Sequence, residues 1–541
     1  MSGRDHAGGG GAGAGSDTIV VLDFGGQTAQ LISRRLRDAG YYSEVVPGDA
    51  PSKKWLRPAI KGLVLSGSPY SVNDDEAPRL DPAVLEAGIP ILGICYGLQR
   101  LTADAGGRVA RAESREYGRS RLKLDRAHPL FADVPDGFVS WMSHGDSILE
   151  AGKGFSQIAA SEHGLPACLS TLDDLVETPA GSVPHLTGIQ FHPEVTHCEY
   201  GTEILANFAG GICGADAEWS MEAFVETAAE GIRSQVGENP VLLLISGGVD
   251  STVAAALLLR SLPPEQVYLL YVDTGLMRKN ESDEVVATLE ALGAEHLHVA
   301  RAADRFLSAL SGVADPEEKR RIIGDTFIEV QQDEVSRLEI DNAFLAQGTL
   351  YTDMIESGGG VGNKAKVIKS HHNVRSPLVA AKREAGLIVE PLSLLYKDEV
   401  RRLGQVLGVA EAVVGRHPFP GPGLAVRILG AVNAERVRVL QEADFLYISE
   451  LKRRGLYDKI WQAFAVLLPI RSVGVTGDER NYGDVLALRA VNSHDGMTAD
   501  VYPFPTEALL EISSLITNRI PEIGRVVYDV SSKPPSTIEW E

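Results

Sequence analysis

Residues 89–99, IPILGICYGLQ, place a cysteine between two glycines at the end of an apolar run. The first six residues predict a buried strand, and the residues from Tyr96 onward predict a helix. G-x-C-x-G is the cysteine counterpart of the G-x-S-x-G elbow, in which a sharp strand-to-helix turn exposes a nucleophile. Gly93 and Gly97 suit such a turn because they carry no Cβ. The amino end of the helix favours a thiolate at Cys95. The sequence therefore makes Cys95 a candidate nucleophile in an α/β sheet.

A thiol that attacks a carbonyl needs a base, and the base needs a group that orients it. His192 and Glu194 lie two apart on a strand predicted over residues 186–195, so their side chains are expected on one face. The stretch LSGSP, residues 65–69, follows another predicted strand, and its turn amides could stabilise an oxyanion. Each feature alone is common, since a lone buried cysteine is usually a core residue. Together, in the order Cys, His, Glu, they favour a catalytic triad.

The bulk composition narrows the function classes. The chain has 541 residues, enough for several domains, with 44% hydrophobic and 23% charged residues. Lys and Arg number 51 against 73 Asp and Glu, a formal net charge of −22. Because nucleic-acid and anionic-membrane binding reward positive charge, we expect neither kind of partner.

The cysteines and the terminal region indicate a cytoplasmic protein. The four cysteines, at positions 95, 168, 198 and 213, have neither metal-ligand nor disulfide-framework spacing, which suits a reducing compartment. Residues 1–17 are glycine-rich, lack the apolar core of a signal peptide and predict a disordered tail. The most apolar stretch, residues 241–262, is broken by Gly247, Gly248 and Asp250 and predicts no transmembrane helix.

The order of strand and helix signals predicts a multidomain α/β protein. Alternating strands and helices indicate two parallel-sheet α/β domains, over residues 18–212 and 213–415, with a boundary where the pattern lapses near GICGADAEWS. The Pro- and Gly-dense stretch RHPFPGPGLAVR opens a third, α+β domain over residues 416–541.

A second motif, SGGVDS, lies between a predicted strand and a predicted helix. Its glycines let backbone amides turn inward, and the following helix terminus favours an anion, so the loop predicts a phosphate site without a Walker A lysine. Asp250 is the candidate Mg²⁺ ligand. The candidate phosphate-binding residues are Ser246, Gly247, Gly248, Val249, Asp250, Ser251 and Thr252.

Residues 18 to about 210 resemble a class I glutamine amidotransferase domain through LDFGGQ, LSGSP, GICYGLQ, WMSHGD and QFHPEVTH. The resemblance implies that Cys95 attacks the glutamine carboxamide, that His192 is the general base and that Glu194 is its partner. It also implies an oxyanion site at the backbone of Ser68 and Tyr96. Ser68 departs from the usual S-G-G-P turn.

SGGVDS resembles the loop of N-type ATP pyrophosphatases, which cleave ATP between its α- and β-phosphates. That resemblance places Asp273, in YVDTGLMRKNE, beside the adenosine. It makes the residues of KVIKSHHNV candidates for phosphate contacts in a lid, namely Lys366, Lys369, His371 and His372. The segment after HHNV, residues 375–389, departs from the usual glycine-rich form.

RHPFPGPGL and the terminal VVYDVSSKPPSTIEWE together resemble the C-terminal motifs of the glutamine-hydrolysing GMP synthetases. The resemblance implies adenylation of xanthosine monophosphate (XMP) by Mg-ATP and its amination to GMP in purine biosynthesis. It implies a cytoplasmic homodimer formed through the third domain. The XMP-binding residues it implies are Arg278, Pro422, Gly423, Lys533, Ile538 and Glu539.

Three alternatives stay open at this point. A fusion of the same two half-sites could aminate another acceptor, as NAD synthetases do. A regulatory protein could carry relic catalytic residues, although both motifs are intact. Nucleic-acid thiolation is disfavoured by the acidic charge and by the lack of paired cysteines.

Overall fold

The structure is a computed structural model that describes residues 17–26, 28–171, 176–178, 181–183, 186–340, 342–357, 377–476, 479–493 and 498–541. The chain divides into two compact units. One comprises Met1–Gly231 with Tyr351–Lys369, and the other comprises Ile232–Leu350 with Ser370–Glu541. Residues 1–16 of the predicted tail lie outside the described residues. No helix in the described ranges is long and apolar enough to cross a membrane.

The first unit is built on a nine-stranded sheet with the strand order β2-β1-β3-β4-β11-β8-β7-β5-β6. Pairing is parallel from β2 through β11 and antiparallel from β11 to β6, so the sheet is mixed. A separate hairpin joins β9 and β10. The strands are β1 (Thr18–Asp23), β2 (Ser43–Pro47), β3 (Ile60–Leu65), β4 (Ile91–Ile94), β5 (Arg108–Leu124), β6 (Val139–Glu150), β7 (Phe155–Ser161), β8 (Pro166–Thr171), β9 (Val176–Thr178), β10 (Gly181–Val183) and β11 (Leu186–Ile189). The helices are α1 (Ala29–Asp38), α2 (Pro82–Glu86), α3 (Tyr96–Asp104), α4 (Gly201–Ala206) and α5 (Met221–Val236), the last of which ends in the second unit.

The parallel half of this sheet carries the candidate catalytic residues. Its strands are covered on both faces, which is why β1 reads as a continuous apolar run whose residues Ile19 to Leu22 are at most 1% exposed. The carboxyl ends of parallel strands lie at one edge of a sheet, where ligands of α/β folds bind. Cys95 follows β4, and the turn at residues 66–69 follows β3, so both lie at that edge.

The second unit begins with a five-stranded, all-parallel sheet in the order β14-β13-β12-β15-β16. Its strands are β12 (Val241–Ile245), β13 (Val267–Asp273), β14 (His296–Arg301), β15 (Phe344–Ala346) and β16 (Ile388–Val389). The helices of this stretch of chain are α6 (Val249–Ser261), α7 (Glu281–Ala291), α8 (Ala303–Ala309), α9 (Pro316–Leu338), α10 (Tyr351–Ser357), α11 (Pro377–Glu384), α12 (Lys397–Val406) and α13 (Glu411–Val414). Of these, α10 is grouped with the first unit, where the Tyr351 hydroxyl receives a hydrogen bond from the Val45 amide.

The C-terminal part of the second unit is α+β, as the sequence predicts. A long antiparallel hairpin, β17 with β18, is extended by β19 and by β20, which pairs in parallel with β18. The elements are α14 (Ala434–Arg453), β17 (Gln462–Thr476), β18 (Glu479–Asn492), β19 (Asp500–Val501), α15 (Thr506–Arg519) and β20 (Ile523–Tyr528). One buried apolar cluster includes Leu270 of β13 and Leu440 of α14, which explains why this part forms one unit with the preceding sheet.

Two glycines allow α3 to pack directly on the strands that precede it. A Cβ added at Gly93 would lie 2.5 Å from the carbonyl carbon of Gly97. A Cβ added at Gly97 would lie 2.4 Å from the carbonyl oxygen of Leu65. Backbone cannot yield as a flexible side chain can, so both positions require glycine.

We expect Gly97→Ala to destabilise the first unit by about 1–3 kcal/mol, the usual cost of overpacking a close contact. Gly211→Ala is the matched control, because a Cβ there meets nothing within 4 Å. Calorimetric unfolding of both variants checks this. Equal unfolding midpoints for the two variants would contradict the packing argument.

Candidate active site

Cys95 occupies a strained turn between β4 and α3. Its backbone has φ 53° and ψ −104°, a conformation that L residues rarely adopt. The Cys95 amide donates to the Ile189 carbonyl at 2.8 Å, which ties the turn to the end of β11. The side chain is buried, with 7% exposure. The strand–turn–helix predicted from the sequence therefore holds a strained cysteine at the sheet edge, as in a nucleophile elbow.

His192 and Glu194 meet each other, but not on a strand. The strand predicted over residues 186–195 ends at Ile189, so that prediction is wrong in its extent. Pro193 lies between His192 and Glu194 in the sequence, and it has no N–H to donate to the hydrogen bonds of a β-sheet. His192 Nδ1 lies 2.7 Å from Glu194 Oε1, and the Glu194 side chain is fully buried. A local turn thus produces the pairing that strand geometry was expected to provide.

The charge distribution in this triad favours a protonated imidazole. Burial alone would lower the pKa of His192, but the Glu194 carboxylate and hydrogen bonds with Cys95 and Glu194 raise it to about 10. His192 therefore keeps its proton at neutral pH and loses it only as the pH rises toward that value. A cationic imidazole beside a cysteine stabilises the thiolate, the nucleophilic form of the side chain.

The turn after β3 packs against the triad. A Cβ added at Gly67 would lie 3.4 Å from His192 Cε1, so the backbone of this turn runs alongside the imidazole. Ser68 donates its hydroxyl to the Phe24 carbonyl at 2.8 Å and is not among the described non-glycine residues with positive φ. Tyr96 opens α3, and its hydroxyl donates to the Pro78 carbonyl at 2.5 Å. The side chains of Ser68 and Tyr96 are thus occupied, leaving their backbone amides as the groups suited to an oxyanion.

Three further residues near the triad were missed by the sequence reasoning. Gln99 lies one helical turn after Cys95, and its Nε2 donates to the Asp146 carbonyl at 3.0 Å. The Ser143 carbonyl lies 3.9 Å from Cys95 Sγ. Arg35 of α1 donates through Nε to the Glu194 carbonyl at 3.1 Å. The i, i+4 spacing in CYGLQ could have revealed Gln99, whereas the other two contacts depend on strand and helix packing.

The second unit holds the SGGVDS loop between β12 and α6. Gly247 has φ 77°, the left-handed conformation that glycine adopts without strain. The Gly248 amide donates to Ser246 Oγ at 3.3 Å, and the Ser251 and Thr252 hydroxyls donate to the Gly248 carbonyl at 3.1 and 2.9 Å. Val249 is the first residue of α6. These hydroxyls fix a compact loop at the amino end of a 13-residue helix, an arrangement that binds phosphate.

Asp250 is the carboxylate of this loop. Lys397 of α12, which the sequence reasoning missed, lies with Nζ 2.5 Å from both Asp250 oxygens. The described residues contain no cluster of three or more His, Cys, Asp or Glu suited to a metal ion. A single carboxylate does fit Mg²⁺ that arrives with phosphate ligands, because Mg²⁺ is usually held by one or two carboxylates plus phosphates. Asp273 ends β13 and accepts a hydrogen bond from the Gly275 amide.

A buried cationic cluster forms where the proposed XMP residues meet. Phe419 stacks with the guanidinium groups of Arg278 and Arg427, at 4.6 and 5.1 Å from its ring centroid. Arg427, which the sequence reasoning missed, makes a bidentate pair with Glu539 at 3.0 and 2.7 Å. Burial lowers the pKa of Arg278, against the opposing charge of Asp444. Each guanidinium group of the cluster thus has a carboxylate partner, Glu539 for Arg427 and Asp444 for Arg278.

The other proposed XMP residues lie in the same unit as this cluster. Gly423 has φ 64°, and a Cβ there would lie 2.4 Å from the Leu276 carbonyl oxygen, so the turn after Pro422 requires glycine. Lys533 exchanges backbone hydrogen bonds with Ala499, and Ile538 is buried in an apolar cluster. The lid candidates Lys366, Lys369, His371 and His372 lie outside the described residues.

Comparison of the sequence with known proteins identifies the family to which the chain belongs. A model described as glutamine amidotransferase class-I matches residues 20–211, and one described as GMP synthase C terminal domain matches residues 449–540. Glutamine-hydrolyzing GMP synthases of Symbiobacterium thermophilum and Chlorobium chlorochromatii are each 48% identical over 97% of this chain, covering 99% and 100% of their own. The glutamine-hydrolyzing GMP synthase of Aquifex aeolicus is 47% identical, over 97% of this chain and 99% of the length of that relative.

Fold, site and family model together define the first unit as a class I glutamine amidotransferase domain. The chain as a whole belongs to the glutamine-hydrolysing GMP synthase family, as its near full-length identity to these relatives shows.

We expect Glu194→Gln to slow alkylation of Cys95 by iodoacetamide at neutral pH. Removing the carboxylate lowers the pKa of His192, so a larger fraction of the imidazole is neutral at neutral pH. The thiolate then loses its cationic neighbour. Mass spectrometry of labelled protein against time measures the rate at each cysteine.

The other cysteines serve as internal controls for this labelling. Burial raises the pKa of Cys168 and Cys213, and raises that of Cys198 to about 12. They should react slowly in both proteins. An unchanged Cys95 rate in Glu194→Gln would contradict the role assigned to the carboxylate.

Proposed function

We propose that the chain converts XMP to GMP, using glutamine as the nitrogen source and Mg-ATP to activate the acceptor. The observation that carries this proposal is the Cys95–His192–Glu194 arrangement in a chain of this family that also contains the SGGVDS loop. The names of the relatives support GMP as the product. The triad supports glutamine hydrolysis, and the SGGVDS loop supports activation by ATP.

In the glutaminase reaction, Cys95 thiolate attacks the carboxamide carbon of glutamine. The developing oxyanion is stabilised by the backbone amides of Ser68 and Tyr96. His192 then donates its proton to the departing nitrogen, which leaves as ammonia, and a glutamyl thioester forms. His192, now neutral, accepts a proton from the water that hydrolyses the thioester, which restores the imidazolium and the thiolate. Glu194 orients the imidazole and balances its charge throughout.

In the acceptor reaction, O2 of XMP attacks the α-phosphorus of ATP and pyrophosphate leaves. Ammonia then attacks C2, and AMP leaves with the oxygen. Residues 246–252 would hold the phosphates, Asp250 would exchange Lys397 for the Mg²⁺ of Mg-ATP, and Asp273 would lie beside the adenosine. The charge spread over transferring phosphate oxygens makes such positioning the protein's main contribution.

The XMP site is assigned to the cluster of Arg278, Arg427 and Phe419 and to the proposed residues of the same unit. Arg278 and Arg427 offer charge for an anionic nucleotide, and Phe419 holds both guanidinium planes. Pro422, Gly423, Lys533, Ile538 and Glu539 complete the proposed set. The lid candidates Lys366, Lys369, His371 and His372 stay a prediction for contacts with ATP.

The proposed organisation has a tail over residues 1–17, an amidotransferase over 18–212, an ATP pyrophosphatase over 213–415 and a dimerisation domain over 416–541. The four cysteines are free thiols, which supports a reducing compartment such as the cytoplasm. The dimer is supported by a row of exposed apolar side chains on β17 and β18. They are Ile470, Val473, Val475 and Tyr482, between 50% and 75% exposed.

We expect Cys95→Ala to abolish GMP formation with glutamine and to retain it with ammonium chloride. The alanine removes the nucleophile of the glutaminase reaction but leaves the acceptor site, which needs only ammonia, untouched. GMP and AMP are measured by chromatography from XMP and Mg-ATP with each nitrogen source.

Three outcomes would overturn parts of this proposal. If the wild type makes no GMP from either nitrogen source, the acceptor is not XMP. If ATP is cleaved to AMP equally well without XMP, a different acceptor, as in NAD synthetases, would be favoured. Loss of both activities in Cys95→Ala would contradict the division of labour between the half-sites.

We expect the double variant Val473→Asp with Val475→Asp to shift the protein from dimer to monomer. Charged groups cannot be buried unpaired in an interface without a cost of several kcal/mol. Light scattering after size-exclusion chromatography measures the mass. Leu510→Asp, at a residue 62% exposed on α15, is the control and should leave the dimer intact. A monomeric wild type would refute the assignment.

A further inference from the structure

The first unit contains a buried ion pair that the glutaminase chemistry does not use. Glu116 of β5 and His144 of β6 lie 3.2 Å apart, Oε2 to Nε2, with both side chains only 3% exposed. Ser161 donates its hydroxyl to the other oxygen of Glu116 at 2.7 Å. Burial alone would raise the pKa of Glu116, but hydrogen bonds from His144 and Ser161 hold it below its usual value. Glu116 is therefore held as a carboxylate beside His144 inside the protein.

The second nitrogen of His144 fixes the backbone that follows it. Nδ1 lies 2.9 Å from the Asp146 carbonyl oxygen, which can only accept, so Nδ1 carries a proton. With Nε2 directed at a carboxylate, the imidazole is held between two acceptors. These two contacts fix the conformation of residues 144–146.

The backbone fixed in this way forms part of the wall beside the nucleophile. The Asp146 carbonyl also accepts from Nε2 of Gln99, four residues after Cys95 on α3. The Ser143 carbonyl, just before His144, lies 3.9 Å from Cys95 Sγ. Residues 143–146 thus contact both the thiol and the helix that positions it.

The strand pairing at this point needs an additional constraint. Arg111 is opposite Asp146, and Glu116 is opposite His144, so four residues of β5 face one residue of β6. This irregularity interrupts the run of matched pairs between the two strands. The buried pair lies at the first matched position beyond it. Specifying register is the best-attested role of buried polar pairs in proteins.

We propose that Glu116 is a positioning residue for the glutaminase reaction. Through His144 it sets the register of β6 against β5 and so holds residues 143–146 against Cys95 and Gln99. This inference rests on the proposed glutamine hydrolysis by the first unit.

The test compares steady-state kinetics of Glu116→Ala and the wild type, with glutamine or ammonium chloride as nitrogen source. Because Glu116→Ala leaves buried His144 without its carboxylate partner, we expect KM for glutamine to rise by about tenfold or more. The kcat with glutamine should change less, and ammonium-dependent GMP formation should be unchanged. Glu116→Gln keeps an acceptor for Ser161 and a polar partner for His144, and should restore most of the affinity.

Glu150→Ala is the matched control, because it also breaks a carboxylate pair across β5 and β6. Its partner is Arg108. Because the side chains of Arg108 and Glu150 are 60% and 66% exposed, the pair contributes little, and we expect wild-type kinetics. A partly unfolded population would lower kcat without raising KM. Wild-type KM in Glu116→Ala, equal effects in Glu116→Ala and Glu150→Ala, or loss of ammonium-dependent activity would overturn the proposal. A wild type that forms GMP from ammonium but not from glutamine would instead refute glutamine hydrolysis itself.

Discussion

The turn at Cys95 is the constraint on which the first site depends. A non-glycine residue at φ 53° and ψ −104° is strained, and it persists only where its surroundings hold it. Here the Cys95 amide is tied to the end of β11, and α3 packs so closely on β3 and β4 that Gly93 and Gly97 cannot carry a Cβ. The same packing places the sulfur, the Gly67 turn and the His192 ring at one sheet edge. The reactive geometry is therefore a consequence of how β3, β4, β11 and α3 fit together.

The two half-sites use electrostatics in opposite ways. In the first unit, buried carboxylates face imidazoles, Glu194 with His192 and Glu116 with His144, so each carboxylate fixes an imidazole. In the second unit, the SGGVDS loop presents backbone and hydroxyl groups at a helix terminus, and Asp250 and Lys397 are partly exposed. Buried pairs suit a site that must hold one proton in place, whereas an open loop suits a site that admits a large anion.

The sequence predicted the elements well where one local pattern specifies one structure. The apolar runs of β1, β4 and β12, the glycine turn at Gly247 and the α+β character of the last block all follow from spacing alone. The strand prediction was wrong at residues 190–195, because β11 ends at Ile189. Pro193 and the pairing of His192 with Glu194 favour a turn there over a longer strand. One apolar cluster includes residues of both the second and the third block, and periodicity carries no information about which faces meet.

The sequence by itself determined the residue types and their order: a cysteine between glycines, a histidine and glutamate two apart, and a phosphate loop without lysine. These are local, because a turn or a helix terminus is specified by neighbouring residues. Only the tertiary structure decided which side chains support them. Arg35, Gln99, Glu116, Lys397 and Arg427 lie far along the chain from most of the groups they contact. Such partners are set by strand order and helix packing, which depend on contacts between distant parts of the chain and leave no fixed spacing in the sequence.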